Sequence, residues 1–182
     1  AVESNYTISA TIGTLTVTEY ADEIVVTTTG GEFTYDGRPH GATVTVSDLP
    51  EGYTLKTATS DDVATDVAEG TVEATCDTLV IENAAGEDVT ANLNIEYVKG
   101  SIKINPAPLT VVTPDANRVY DGTPLTAAGS ISGFVNEETA TFTTTGTRTE
   151  VGSTQNTYSL TWDGTAVESN YTISATIGTL TV

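Results

Sequence analysis

Positive charge, cysteine and long apolar runs are what this sequence has least of. Six Lys and Arg stand against 25 Asp and Glu over 182 residues, a formal net charge of −19. A nucleic-acid duplex is met by a basic face that releases its counterions, and six scattered cations cannot build one, so nucleic acid is not an expected partner. An anionic membrane surface is disfavoured on the same ground. The one cysteine, Cys76, leaves no partner for an internal disulfide. No window approaches the roughly eighteen apolar residues of a spanning helix, so no membrane insertion is expected of this stretch. No charged-then-apolar leader opens the sequence at Ala1, and an export signal and an anchor are expected to lie outside it.

Threonine, by contrast, occurs 38 times. Its β-branched side chain suits a pleated surface and loses χ1 freedom in a helix, which points to an all-β chain. With methionine absent and Trp162 the single tryptophan, an extracellular domain without disulfides must be held by packing or by another crosslink.

Internal repetition sets the organisation. Residues 1–17 are identical at every position to residues 166–182. A weaker repeat lies inside this long period. The segment from Asn92 to Ile104 aligns without gaps on that from Asn170 to Val182, and upstream of each stands Tyr-Asp-Gly-x-Pro, at Tyr35-Asp36-Gly37 and at Tyr120-Asp121-Gly122. Residues 1–17 therefore read as the closing strands of a preceding repeat, 18–104 as a first module and 105–182 as a second. The first module holds 17 carboxylates and four cations, the second seven and two.

Within each module apolar residues alternate with period two between Gly, Pro and Asp punctuation. Strands are predicted at 23–29, 42–47, 53–58, 71–74, 78–82, 93–98 and 101–104. In the second module they are predicted at 109–113, 128–131, 140–145, 156–162, 171–176 and 179–182. This spacing predicts two tandem immunoglobulin-like β-sandwich modules in an extended arrangement. A β-grasp-like module is the alternative; it needs a short helix, for which only 61–68 offers a poor candidate. In each Tyr-Asp-Gly the Asp can accept from backbone two residues on and Gly supplies positive φ, a tight turn with an aromatic root. Asn105-Pro-Ala-Pro108 is a short, stiff connector, since Pro restricts itself and the residue before it.

The pairing of Tyr-Asp-Gly with Asn170-Tyr-Thr-Ile and Gly178-Thr-Leu-Thr-Val182 resembles the YDG and MBG-type repeats of bacterial cell-surface adhesins. The first module departs from it at Leu93 and Asn94. The resemblance implies a secreted tandem array between a distal binding region and a wall anchor, with some members associated with mucin, and it brings no catalytic residues. On this reading the fragment is a stalk that spaces a binding tip from the bacterial surface, with neighbouring repeats as partners. The alternative is a weak, multivalent glycan- or mucin-binding module.

Chemical candidates are few. His40 and Cys76 would need a third group to form a nucleophile and base, and nothing in their spacing supplies it. Calcium is the cofactor two carboxylate clusters would take, Asp61, Asp62 and Asp66, and Glu82, Glu87 and Asp88, although neither follows an established loop pattern. An intramolecular amide bond has Lys56, Lys99 and Lys103 to draw on in the first module and no lysine in the second, and an ester or thioester has only Gln155. Trp162 with Tyr158 is the best sugar platform, but Tyr158, Leu160 and Trp162 alternate onto one face, as a core strand requires. Residues 1–17 also alternate well enough to pair as an extra strand or to exchange with a neighbouring molecule.

Overall fold

The computed structural model describes residues 12–16 and 23–182. The chain is all-β, and among the described residues the only helical turns are short 3-10 turns. Before Pro106 come β1 (Glu23–Thr29), β2 (Gly31–Thr34), β3 (His40–Gly41), β4 (Thr43–Val46), β5 (Thr54–Thr59), β6 (Val63–Ala64), β7 (Thr71–Ala74), β8 (Thr78–Glu82), β9 (Asn94–Val98) and β10 (Gly100–Asn105). After it come β11 (Ala107–Thr113), β12 (Ala116–Asn117), β13 (Ser130–Ser132), β14 (Thr141–Thr144), β15 (Ser153–Gln155), β16 (Tyr158–Thr161), β17 (Tyr171–Ile177) and β18 (Thr179–Thr181).

Strand pairing falls into two sets that share no sheet. The first contains β4-β1-β9, β2-β10-β7, β5-β8 and β3-β6; the second contains β13-β11-β17, β12-β18-β15 and β14-β16. The two sets repeat one another in register. Val26 pairs with Val46 where Val111 pairs with Ile131, and Glu23 faces Asn94 where Pro108 faces Thr172. An immunoglobulin-like sandwich is built mainly from antiparallel neighbours. Here the opening strand of each set instead runs parallel to the penultimate one, β1 beside β9 and β11 beside β17, and the next pair, β2 with β10 and β12 with β18, is parallel too.

The paired strands change sheets at glycine. β1 and β9 share one sheet, while their continuations β2 and β10 share another. A Cβ on Gly30 would run into the Ser101 carbonyl, and one on Gly100 would stand 2.5 Å from the Thr28 oxygen. The two backbones cross so closely that no side chain fits between them.

The long predicted strands form where alternation is strong, because one face is buried. Ile24, Val26 and Thr28 of β1 point inward, as do Ala107, Leu109, Val111 and Thr113 of β11. Five short strands, β2, β3, β6, β12 and β15, were not among the predicted runs; with two to four residues each they are too brief to display a period. The predicted 156–162 strand shortens to β16, because Asn156 leaves the ladder and its buried Nδ2 donates to the carbonyls of Pro114 and Ala127, each at 3.0 Å. Within 61–68 lies the bridge strand β6, followed by the 3-10 turn Val67–Glu69, so the helix of a β-grasp module does not form there. The proposed pairing of the tail falls on residues 1–17, mostly outside the described residues; Ile12 and Leu15 within 12–16 are exposed.

Only Pro106 separates β10 from β11, so the end of one set is held against the start of the next. A single cluster of buried side chains crosses this point: Tyr35, Ala64, Ala74, Ile102 and Ile104 from one side, Ala107, Leu109, Ala166 and Tyr171 from the other. Each large aliphatic side chain buried there contributes about 1.5–3 kcal/mol.

Candidate functional site

A cluster of polar and aromatic groups lies at this junction, and the first Tyr-Asp-Gly turn builds half of it. Asp36 Oδ1 accepts from Arg38 N at 3.0 Å and faces His40 Nε2 at 3.0 Å. That backbone N–H, with the imidazole next, holds the Asp36 carboxyl below its ordinary range. Gly37 takes φ +69°, and a Cβ there would collide with Asn136 Nδ2. The turn thus presents Tyr35, 7 % exposed, to the segment after Pro106.

That segment answers with Glu138. Tyr35 donates its hydroxyl to Glu138 Oε1 at 2.6 Å, and Tyr171 donates to Oε2 at 2.6 Å. The Tyr171 oxygen also accepts from Val135 N at 3.1 Å. Burial, and then the bond to Glu138, pushes the Tyr35 phenol up to about 12; the same two causes raise Tyr171. The rings meet edge to face, Tyr35 with Tyr171 at 5.6 Å and Phe134 with Tyr171 at 5.5 Å, while Trp162 stacks on Tyr171 at 5.9 Å.

Two asparagines finish the joint. Asn170, 1 % exposed, donates to Asp66 Oδ1 at 2.7 Å and accepts from Val67 N at 3.0 Å. Asn136, at φ +49°, donates to the Asp36 carbonyl at 3.1 Å. Buried polar groups must find partners, and Asn170 finds its own across the junction, while Asn136 bonds from the exposed rim.

The second turn has the same local form. Asp121 Oδ1 accepts from Thr123 N at 2.9 Å, and Gly122 has φ +77°. Thr123 lowers the Asp121 carboxyl as Arg38 does that of Asp36. Tyr120, however, is 52 % exposed.

The other predicted residues are not drawn into a site. Trp162 and Tyr158 do not meet; Trp162 packs at the junction, and Tyr158 lies against Phe142 at 5.6 Å. Asp62 Oδ2 accepts from Thr75 N at 2.7 Å, Asp61 N donates to Asp77, and Asp66 is committed to Asn170. In the second cluster Glu82 pairs with Lys56, Glu87 accepts from Asn83 at 3.0 Å, and Asp88 accepts from Thr90 N at 3.0 Å. Among the described residues no three His, Cys, Asp or Glu converge as a metal site. Asp62 and Asp88 are taken up by backbone N–H groups and hydroxyls, Asp66 and Glu87 by asparagine amides and Glu82 by Lys56, so shared position in sequence did not become shared geometry.

His40 stacks on Phe33 at 4.2 Å, and Cys76 Sγ lies 3.5 Å from the Thr78 carbonyl. Burial raises the Cys76 thiol, which disfavours the thiolate a nucleophile requires. Lys99 pairs with Glu73 at 2.7 Å, and Lys103 is exposed on β10. Two shallow grooves open to solvent. One, of about 490 Å³, is lined by Asp88, Leu93, Ile95 and Tyr97 among others; the second, of about 440 Å³, is lined largely by Thr, Ala and Gly with Phe142.

Glu138, Asn136 and Phe134 were missed in the sequence, where they sit in a loop with no periodicity and no repeat to mark them. Asn170 carried one signal, its place at the head of a repeated motif.

Fold and junction together define a repeated all-β unit whose polar and aromatic groups gather where one set of strands meets the next. Residues 109–181, spanning β11 to β18, match the family model of the MBG domain (YGX type). This agrees with a domain of MBG/YDG type, an adhesin-type repeat family and not a family of enzymes. Such domains occur in extracellular surface proteins, and no helix among the described residues is long and apolar enough to cross a membrane. No curated protein and no solved structure matches the chain.

Proposed function

We propose that residues 18–104 and 105–182 are successive structural spacer modules of a bacterial cell-surface adhesin. They hold a distal binding region away from the cell and carry out no reaction. The observation that carries this reading is the junction. A one-residue connector, a shared apolar cluster and the Tyr35–Glu138–Tyr171 clamp fix one module on the next, which is what a stalk needs to transmit length. On this reading the outer surface of the bacterium is the site of action, through an anchor elsewhere in the parent protein, and neighbouring repeats are the first partners. Trp162 commits a ring face to Tyr171, so the glycan- or mucin-binding alternative finds little support in it.

Small-angle scattering of the full chain tests the spacer. Two modules in line give a radius of gyration clearly above the roughly 16 Å of a globule this long. A value at the globular limit removes the proposal, and reproducible sugar binding on a glycan array that is lost in Trp162→Ala would move the choice to the alternative.

A further inference from the structure

The two Tyr-Asp-Gly turns occupy equivalent places and have opposite surroundings. Both follow a strand paired in parallel with the last strand of its module, β2 with β10 and β12 with β18. Tyr35 is 7 % exposed because the next module sits on it, whereas Tyr120 is 52 % exposed. Val119, next to it in the chain, is 87 % exposed. Ser153 of β15 faces Thr181 where Thr71 of β7 faces Lys103, so Arg148 and Thr149 stand where Asp66 and Val67 stand, and Asp66 and Val67 are the residues that Asn170 bonds.

The opening end of the first module mirrors this exposure. Leu49 stands three residues beyond the partner of Val26, as Phe134 stands three beyond the partner of Val111. Asn92 and Leu93 stand where Asn170 and Tyr171 stand; Asn92 is exposed and Leu93 half-buried, while their counterparts are buried.

We infer that the Tyr120 turn, with Arg148 and Thr149, seats the opening end of a second copy of the first module, through Leu49, Asn92 and Leu93. The sequence itself indicates the occupant. Residues 166–182 recur as residues 1–17, and where they recur they lead into residues 18–104. A head-to-tail contact between unlike faces does not close on itself, so it propagates along an array. The inference rests on the spacer reading in requiring that modules follow one another.

The experiment compares the full chain with the same chain extended at Val182 by a second copy of residues 18–104. Amide hydrogen exchange at 118–125 and 149–152 is expected to slow about tenfold or more on extension. Tyr120→Ala should abolish that slowing in the extended chain and leave the melting midpoint of the unextended chain unchanged. Equal exchange in both chains overturns the inference. So does slowing that appears in the unextended chain as its concentration rises, which would assign the face to contacts between separate molecules. Scattering from the extended chain keeps the two readings apart: greater length without protection leaves the spacer intact with a free joint, whereas a compact particle removes the spacer itself.

Discussion

Glu138 accepts from two phenols on opposite sides of Pro106, and each bond bears on how the junction responds to alkali. An unfolded phenol releases its proton near its ordinary 10.0, but Tyr35 holds its proton to about 12. Between these values the unfolded chain binds fewer protons than the folded one, so stability falls as pH rises. The contribution is complete below pH 10 and is lost as pH climbs through about 12, with Tyr171 acting in the same direction. Phenolate absorbance of the folded chain should therefore show a late-titrating group that loses one member in Tyr35→Phe. That variant should also lower stability by about 1–2 kcal/mol in urea; a titration identical to the unaltered chain would refute the clamp. Tyr35 was legible as the root of a turn because its motif recurs. Its acceptor was not, since a glutamate about a hundred residues away leaves no local trace.

At the scale of elements, the two turns form a matched pair that separates backbone strain from contact. Gly37 and Gly122 both take positive φ, but a Cβ on Gly37 meets Asn136 while one on Gly122 meets nothing within 4 Å. Gly122→Ala is expected to cost about 1–2 kcal/mol from backbone strain alone. Gly37→Ala should cost about 1–2 kcal/mol more, because Asn136 must leave the Asp36 carbonyl. Equal losses by calorimetry would mean that the turn does not bear on the junction. The long strands were legible for the reason that makes them stable: alternation along β1 and β11 is a local record of one buried face. Parallel pairing of β1 with β9 and β11 with β17 was not, since a strand's composition does not state the direction of its neighbour.

The whole molecule carries a net charge of −19 on 182 residues, and that excess governs its response to salt. Like charge favours the expanded chain, and salt screens it over a Debye length of about 10 Å at 0.1 M. The melting midpoint should accordingly rise as sodium chloride goes from about 0.01 to 0.1 M, and a flat or falling midpoint would show that the few ion pairs outweigh repulsion. By itself the sequence determined the strand class, the repeat and the turn geometry of each Tyr-Asp-Gly, because β-branched composition, period-two alternation and an Asx turn act over a few neighbouring residues. Only the tertiary structure decided that Tyr35 is covered and Tyr120 bare, that Asp66 meets Asn170, and that Trp162 packs inward. The cover on Tyr35 and the Asp66–Asn170 bond depend on which surface arrives from across the connector, and the place of Trp162 on the Phe134 and Tyr171 rings of its own set.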